Sequence, residues 1–461
     1  MKKGFVMEKK SNGLVDGVKN SLMLRVFFVG FLILSFLIPL GMVKGIVWER
    51  TSYFNDAVSS ISTSWAEEQS ILGPVLVVPY RVEQSVWVYN KKSEQNEIKK
   101  NQYRRFHYVF PTTLKANAEL ETQERYRGIY KVPVYQADLS FDGAFSDVFK
   151  DLKVAKNEQI LSYGDAYLSF GVSDMRGITG DLALVWDKKN KDAEPGTEMH
   201  NIQSGFHVKL GQLSKDRVAY DFDVQMTVKG IKGFHFVPVG KTTVLSMDSN
   251  WAHPSFSGRF LPSAREIGDD GFSSTWETGF LATDMGGRFA RCVSSNQCQD
   301  LWNNTFSVAL FSSVNVYQKT ERALKYGLLF ISLTSGAFYL LEILKDFRIH
   351  PIQYGLVGTA LAVFYLLLVS LSEHVSFGLS YMVASSAIAG LLGYYVSFVL
   401  NNMRWGGLFA ALIGGLYGVL YLILKSEDYA LLMGSGLLFF TLVVVMVMTR
   451  TVDWYDLQKK D

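Results

Sequence analysis

Hydrophobic residues are concentrated near the two ends of the 461-residue chain, and they alternate with polar residues in between. The first apolar run, residues 26–43, contains no charged residue. Five more runs follow near the C-terminus, at 326–344, 354–371, 375–400, 405–424 and 429–448. Each run is close to the roughly 20 residues that a helix needs to cross a bilayer. The pattern therefore predicts six transmembrane helices.

The region between these runs, residues 48–325, shows the alternation that is typical of strands. The clearest case is YDFDVQMTV at 220–228, which places five apolar residues on one face: Tyr220, Phe222, Val224, Met226 and Val228. Gly, Pro, Asn and Asp separate further short runs at intervals typical of β-sandwiches. Residues 53–68 have helical spacing and predict a stalk after the first span. The charged segment 91–102 predicts an exposed hairpin tip or loop. We expect a large, mainly-β, sandwich-like domain.

The composition supports this division of the chain. The chain is 48% hydrophobic and 19% charged, which fits neither a soluble enzyme nor a wholly membrane-embedded protein. Residues 326–448 contain nine charged residues, whereas residues 48–325 contain 65, a normal density for a globular domain. A net charge of +3 does not suggest a polyanionic partner. A cytosolic enzyme, a nucleic-acid-binding protein and a disordered chain are excluded.

Five segments follow from these patterns. They are a cytoplasmic tail (1–25), a transmembrane anchor (26–47), a β-rich domain outside the cytoplasm (48–325), a five-helix transmembrane bundle (326–449) and a second cytoplasmic tail (450–461). The anchor is long and lacks a small-residue cleavage site, so we interpret it as uncleaved. Lys and Arg set the orientation, because six precede the first span and the outside links contain only Lys425.

The sequence contains no motif for catalysis, for a cofactor or for a metal ion. Its seven histidines lack ligand spacing, and no nucleophile elbow or phosphate loop is present. The only cysteines, Cys292 and Cys298, are close together on the predicted oxidising side, so we expect a structural disulfide. Gly414 and Gly418, four residues apart in an apolar run, indicate close helix packing.

Two polar segments of the β domain contain candidate interaction residues. SDMRGI (173–178) and SNWAHPSFSGRF (249–260) contain Arg176 and His253. We expect both segments to be structural turns. The alternative is that Arg176 and His253 face a shared ligand groove.

A third set of candidates lies where the predicted bundle meets the outside face of the membrane. Glu373 is expected to bridge Arg322 or Lys325, with His374 adding a pH-sensitive contact. The alternative is that Glu373 caps the N-terminus of the following helix, where a carboxylate is favourable.

Several longer motifs resemble one known family. They are ERYRGIYKVPVY at 124–135, SNWAHPSFSGRFLP at 249–262, YQKTERALKYGLLFISLT at 317–334 and HPIQYGLVGTALAVFYLLLVSLSEH at 350–374. Together they are similar to the CreD family, a family of inner-membrane proteins associated with cell envelope integrity and not with a defined reaction. Residues 278–304, which include both cysteines, depart from the family pattern.

The resemblance implies a non-enzymatic inner-membrane protein of envelope homeostasis whose β domain lies in the periplasm and serves for binding or scaffolding. The lipid bilayer is one expected partner, and other envelope proteins, glycans or lipids are further candidates. No cofactor and no nucleic acid is expected, and the oligomeric state is not indicated. The alternative is a transporter or lipid-handling protein that couples the β domain to the helix bundle.

The disulfide gives a direct test of the predicted orientation. Alkylation of natively produced protein under non-reducing conditions should leave Cys292 and Cys298 unmodified, because an oxidising compartment keeps them paired. The degree of alkylation is measured by mass spectrometry. Free thiols would contradict the pairing and would also argue against placing residues 48–325 outside the cytoplasm.

Overall fold

The chain folds into two compact units. The structure is a computed structural model that describes residues 22–90, 95–150, 152, 154–310, 316–345, 349–426 and 429–450. The β domain is Asn55–Ser313, and the membrane unit combines Met1–Phe54 with Val314–Asp461. Most of the two predicted cytoplasmic tails, and residues 91–94 of the predicted hairpin tip, lie outside the described residues.

Two consecutive helices begin the described chain, α1 (Leu22–Ser35) and α2 (Leu37–Ser64). Pro39 is tolerated because it lies in the first turn of α2, where its missing N–H breaks no helical hydrogen bond. The helical stretch Phe27–Ser64 is long and apolar enough to cross a membrane. The predicted anchor is therefore confirmed as helix, and the stalk predicted over residues 53–68 is helical as far as Ser64.

The β domain contains seventeen strands in its described residues. They are β1 (Gln69–Asn90), β2 (Gln95–Val109), β3 (Thr113–Arg127), β4 (Tyr130–Ser146), β5 (Glu158–Tyr163), β6 (Ala166–Val172), β7 (Ile178–Trp186), β8 (Lys189–Lys191), β9 (Ala193–Pro195), β10 (Gly205–Gly211), β11 (Ala219–Ile231), β12 (Gly233–Val237), β13 (Thr242–Ser249), β14 (Ser255–Gly258), β15 (Ala264–Gly268), β16 (Gly271–Gly279) and β17 (Phe306–Ala309).

These strands form two sheets. One has the order β14-β17-β12-β1-β6-β10-β9, and β2 and β5 also pair with β1. The other has the order β15-β16-β13-β3-β4-β11-β7-β8. Neighbouring strands are antiparallel except for the pairs β1–β12 and β3–β13. Both sheets are therefore mixed, and β1 lies at the centre of the first.

Aromatic side chains from the two sheets meet in one core. Phe141 of β4 lies 5.8 Å from Phe170 of β6 and 5.7 Å from Phe236 of β12, measured between ring centroids. Trp276 of β16 stacks on Phe306 of β17 at 6.0 Å. The alternating face predicted in β11 is buried in this core. Burying each such side chain contributes about 1.5–3 kcal/mol, and the predicted β-sandwich is confirmed.

A short helical segment packs on the end of this sandwich. It comprises α3 (Phe280–Thr283), α4 (Met285–Ser295) and α5 (Gln299–Trp302). Phe289 of α4 is buried, with its ring 4.9 Å from Tyr108 and 5.4 Å from Phe110. Cys292 in α4 is disulfide-bonded to Cys298, which directly precedes α5. The predicted disulfide is confirmed, and it ties α4 to α5.

Six helices follow the β domain: α6 (Val316–Lys325), α7 (Gly327–Lys345), α8 (Pro351–Ser372), α9 (Phe377–Val399), α10 (Met403–Lys425) and α11 (Ala430–Thr449). Each of the last four contains a stretch that is long and apolar enough to cross a membrane, whereas the apolar stretch of α7, Gly327–Tyr339, is shorter. Four of the five predicted C-terminal spans are thus supported by length and composition. The span at 326–344 stays a prediction.

Glycine allows α9 and α10 to pack closely, but not where the sequence pattern indicated. A Cβ added to Gly393 or Gly406 would collide with the facing helix. A Cβ on Gly414 or Gly418 would meet no described atom of another element within 4 Å. The packing predicted for Gly414 and Gly418 is therefore wrong, because a spacing of four residues does not say which face of the helix meets a neighbour.

Candidate functional site

The β1–β2 hairpin extends beyond the sheet as a two-stranded ribbon. Its pairs run from Leu76 opposite Val109 to Asn90 opposite Gln95. Strand β5 covers the other edge of β1 only as far as Gln84. Residues 86–90 and 95–99, which we call the ribbon tip, therefore pair only with each other among the residues that the structure describes, over a length of about 17 Å.

One face of the ribbon tip is apolar. Trp87 lies directly opposite Ile98, and Tyr89 is on the same face because side chains alternate along a strand. The exposed fractions are 68% for Trp87, 52% for Ile98 and 58% for Tyr89. Single exposed apolar residues are common, but a contiguous patch at the end of a protruding ribbon is typical of a binding surface.

Basic residues follow this apolar patch along the same face. Lys100 comes first, and Arg81 and Arg104 lie opposite each other further towards the sheet. Lys100 Nζ is 2.7 Å from Glu83 Oε1, and the Arg104 guanidinium lies 5.1 Å from the centroid of the Phe106 ring. Over the described residues, the face thus changes from aromatic at Trp87 and Tyr89 to cationic nearer the domain.

A buried carboxylate holds the base of the ribbon. The Glu158 side chain is only 1% exposed and forms an ion pair with Arg105 of β2. Gln84 Nε2 of β1 and the backbone N–H of Ala155 donate to the same carboxylate at 3.4 and 3.3 Å. Because a buried charge is tolerated only when it is paired and hydrogen-bonded, these contacts join β1, β2 and β5 where the ribbon leaves the sheet.

The β domain also contains a strongly acidic cleft of about 780 Å³. Seven carboxylates line it: Glu119, Glu121, Asp138, Asp248, Glu266, Asp269 and Asp270. Within the described part of the chain, no three His, Cys, Asp or Glu side chains are grouped so that they could hold a metal ion. The cleft creates a negative surface, but its carboxylates do not converge on one point.

A hydrogen-bonded chain links a carboxylate, a histidine and a serine. His235 Nε2 is 3.0 Å from Glu68 Oε1, and His235 Nδ1 is 2.7 Å from Ser307 Oγ. The hydrogen bond with His235 lowers the pKa of the Glu68 carboxyl. This order of groups is that of a hydrolase triad. However, Ser307 is only 2% exposed, and a Cβ at Gly258 would lie 2.9 Å from its Oγ.

A nucleophile must reach the reacting atom of its substrate, and Ser307 is closed off by β14. These contacts therefore have a structural role. His235 of β12 lies directly opposite Ser307 of β17, and Glu68 connects this pair of residues to the start of β1. No sequence motif indicates this arrangement. Glu68, His235 and Ser307 are 167 and 72 residues apart along the chain.

The SDMRGI segment forms a clamp where α2 continues into β1. Arg176 donates to both carboxylate oxygens of Asp174 at 2.9 and 2.7 Å, and its Nη1 donates to Thr63 O at 3.0 Å. The backbone N–H of Glu67 donates to Asp174 Oδ2 at 2.9 Å. Arg176 therefore binds a carbonyl in the last turn of α2, which lacks a helical partner. These contacts support the structural interpretation of Arg176.

The second candidate turn also forms local contacts. Trp251 Nε1 donates to His253 O at 2.9 Å. The Phe256 ring lies 5.5 Å from Phe272 and 5.6 Å from Trp276. The His253 side chain is exposed, and the contacts described for His253 and for Arg176 involve different residues. The structure therefore gives the two residues no common groove.

The Glu373 carboxylate pairs with a cation, but with a different one from those predicted. Glu373 lies at the C-cap of α8, and Ser376 is the N-cap of α9, so the capping alternative is wrong. The carboxylate that we expected beside Arg322 or Lys325 lies instead 3.5 Å from Arg50 Nε of α2 and accepts a hydrogen bond of 3.2 Å from Tyr317 of α6.

The three remaining candidates lie in α6 and directly after Glu373. Arg322 and Lys325 lie in the last turn of α6, where cations interact favourably with the helix dipole. The side chain of His374 is exposed, and its backbone N–H donates to Leu371 O at 3.0 Å. The sequence thus identified Glu373 as a contact point, but Arg50 lies more than 300 residues away in sequence and no spacing indicated it.

Comparison with known proteins identifies the family. A family model described as inner membrane protein CreD matches residues 21–455. The chain is also 33% identical over 426 residues to the inner membrane protein CreD of Escherichia coli strain K12, which covers 92% of this chain and 91% of that protein. The chain belongs to the CreD family. The family expected from the sequence motifs is thus confirmed, and this CreD-family chain is an inner-membrane protein.

Solved structures share only a weak likeness with this CreD-family chain. An M1 zinc metallopeptidase from Deinococcus radiodurans matches with a TM-score of 0.19 and 7% identity, over 37% of this chain and 38% of the peptidase. Yeast LTA4 hydrolase in complex with bestatin matches with a TM-score of 0.21 and 9% identity, over 50% of this chain and 35% of the hydrolase. The chain spans less than half the length of these enzymes, and no functional argument follows.

The clamp predicts a pH-dependent contribution to stability. The hydrogen bonds from Arg176 lower the pKa of Asp174, so the ion pair stabilises the fold above the unfolded pKa of about 3.9. This stabilisation falls as the pH drops towards the folded pKa and is lost below it. Asp174→Asn should therefore lower the Tm of the full-length protein by about 2 °C at pH 7, and this difference should vanish in strong acid.

The control for the clamp is Lys150→Gln, which removes an exposed ion pair with Asp147 and should leave the Tm unchanged. Thermal unfolding in detergent measures both variants. A Tm difference for Asp174→Asn that grows as the pH falls would contradict the assigned role of Asp174.

Charge reversal tests the partner of Glu373. Glu373→Arg places a cation beside Arg50 and should lower the Tm of the purified protein. Adding Arg50→Glu should restore the ion pair, with a coupling of about 1 kcal/mol for a partly buried pair. Adding Lys325→Glu should give no such recovery. Recovery with Lys325→Glu or Arg322→Glu, and not with Arg50→Glu, would show that the pairing inferred from sequence is the correct one.

Proposed function

We propose that this protein is a non-enzymatic factor of cell envelope integrity that binds or scaffolds an envelope component through its β domain. The β domain lies on the periplasmic side of the inner membrane, and both termini lie in the cytoplasm. The excess of Lys and Arg in the predicted inside segments supports this orientation. The bound component is a protein, a glycan or a lipid of the envelope.

The observation that carries this proposal is the apolar face of the ribbon tip. Trp87, Tyr89 and Ile98 are each more than half exposed, although the domain has a well-filled core for apolar side chains. Aromatic residues are enriched at binding surfaces because they contribute a large contact area and lose little conformational entropy. A protruding ribbon with this face suits binding better than it suits stability.

The burial of the Ser307 hydroxyl in the Glu68–His235–Ser307 chain supports a function without catalysis. The hydroxyl of Ser307 is buried between neighbouring strands and is also 2.7 Å from Thr305 Oγ1. A hydrolase needs this hydroxyl to be open to its substrate. Strand β17 is buried on both of its faces around Ser307, which instead favours a structural role for this hydrogen-bonded chain.

Aromatic packing between the helices favours a binding role over the alternative of transport. Phe364 of α8 lies 4.3 Å from Tyr417 of α10 and 5.4 Å from Tyr381 of α9, between ring centroids. Phe330 of α7 stacks on Tyr417 at 6.1 Å, and Tyr381 donates to Tyr417 O at 2.7 Å. A substrate path along these four helices would have to separate this cluster.

Complementation of a strain that lacks the protein tests the proposal. The triple variant Trp87→Ser, Tyr89→Ser, Ile98→Ser should fold and reach normal abundance, because its side chains are exposed. It should fail to restore survival in detergent and retention of a periplasmic reporter enzyme. A matched control, Leu161→Ser, Val218→Ser, Leu261→Ser, changes three other exposed apolar residues of the domain and should restore both.

Two outcomes would overturn the proposal. One is wild-type complementation by the ribbon variant at equal abundance, which would remove the binding role of the ribbon tip. The other is loss of complementation by Ser307→Ala with an unchanged Tm, since a structural hydroxyl should affect stability before it affects function.

A further inference from the structure

We infer that the ribbon tip binds the surface of an anionic phospholipid membrane, with its aromatic face in the headgroup layer. The inference rests on the proposed function and names the class of component that the β domain binds. Three features support the inference: the residue types at the ribbon tip, their order along the ribbon and the net charge of the ribbon.

The residue types match those that favour a membrane surface. Tryptophan and tyrosine are amphipathic rings that prefer the boundary between headgroups and hydrocarbon. Trp87 and Tyr89 lie two residues apart on one strand, and Ile98 lies opposite Trp87. The three side chains therefore form one continuous apolar face on the ribbon tip.

The order of residues matches the layers of a bilayer surface. Moving from Tyr89 towards the sheet, the described face changes from Tyr89 and Trp87 to the Lys100–Glu83 ion pair and then to Arg81 and Arg104. Lys100 lies about 7 Å behind Trp87 along the strand. When the aromatic rings lie at the depth of the headgroups, the cations are placed beside phosphate groups and not in hydrocarbon.

The charge of the ribbon favours an anionic surface. Over the described residues 81–90 and 95–106, the ribbon contains five basic and two acidic residues. Each basic residue near an anionic membrane strengthens binding about fivefold. The acidic cleft of the same domain is lined by seven carboxylates and would be repelled, so the charge distribution favours an approach through the ribbon.

Protection of an edge strand explains only part of this pattern. Strand β2 pairs with β1 alone, and lysines on an exposed edge discourage pairing with another chain. Lys99 and Lys100 fit that role. Trp87, Tyr89 and Ile98 have the opposite effect on solubility, so edge protection does not account for them.

Photo-crosslinking in the full-length protein tests the inference. Benzoylphenylalanine is incorporated at position 87, and the protein is reconstituted in nanodiscs of phosphatidylcholine with or without phosphatidylglycerol. Vesicles of the same composition are added in a second arm. The matched control carries the same crosslinker at position 261, where Leu261 is 67% exposed in the same domain.

The expected result is a phospholipid adduct at position 87, identified by mass, in the nanodisc arm or the vesicle arm. Its yield should rise with phosphatidylglycerol and should exceed that at position 261. Arg81→Gln together with Arg104→Gln should lower it by up to about 25-fold, since each cation contributes about fivefold. An adduct whose yield is the same with and without phosphatidylglycerol would overturn the anionic specificity.

Other outcomes separate this inference from the proposed function. A protein adduct at position 87 in living cells, including one with a second copy of the chain, and no lipid adduct in either arm, would overturn membrane binding but leave a binding role intact. Unimpaired complementation by the ribbon variant would overturn the proposed function itself.

Discussion

Strand β1 is the element on which the β domain depends. It is 22 residues long and pairs with four strands, β12, β6, β5 and β2. Its first residue, Gln69, is fully buried and donates from its side chain to Asp174 O and Lys229 O at 3.0 Å each. Its last residues form half of the ribbon tip. A single strand therefore joins the end of helix α2, the core of one sheet and the candidate binding surface.

Polar contacts hold β1 at its start and at the point where the ribbon leaves the sheet. Near the start of β1, the clamp of Asp174 and Arg176 binds the last turn of α2, and Glu68 joins β12 and β17 through His235. Where the ribbon leaves the sheet, the buried Glu158 pairs with Arg105. Between these points the strand is held by apolar burial, and residues 75–78 are no more than 1% exposed. Polar pairs thus set where the strand begins and where the ribbon starts, and the core supplies the stability.

Burial also decides which polar clusters of the β domain are available for function. Glu68, His235 and Ser307 have the chemistry of a catalytic triad, but the hydroxyl is enclosed by neighbouring strands. The ribbon tip contains no cluster of reactive groups, but its apolar face is exposed, and basic residues follow on the same face towards the sheet. Exposed contact area is therefore a better guide to a binding surface in this domain than the presence of reactive groups.

The sequence was sufficient to predict the anchor helix, the last four apolar helices, the strand character of the block between them, the disulfide and the family, whereas the span at 326–344 stays a prediction. These follow from local patterns: continuous apolar runs, alternation as in β11, two cysteines six residues apart and long motifs. Helix α4 was missed although Met285, Phe289 and Cys292 recur at helical spacing, because the segment is only 11 residues long and contains two consecutive glycines, which are poor helix formers.

The tertiary structure alone decided the partners. Arg50 and not a cation of α6 pairs with Glu373, and Gly393 and Gly406, not Gly414 and Gly418, provide the close helix contact. The ribbon face and the Glu68–His235–Ser307 chain likewise depend on the register between strands. The physical reason is the same in each case: a sequence pattern fixes the face on which a residue lies, whereas the residue opposite that face is fixed only when distant segments pack together.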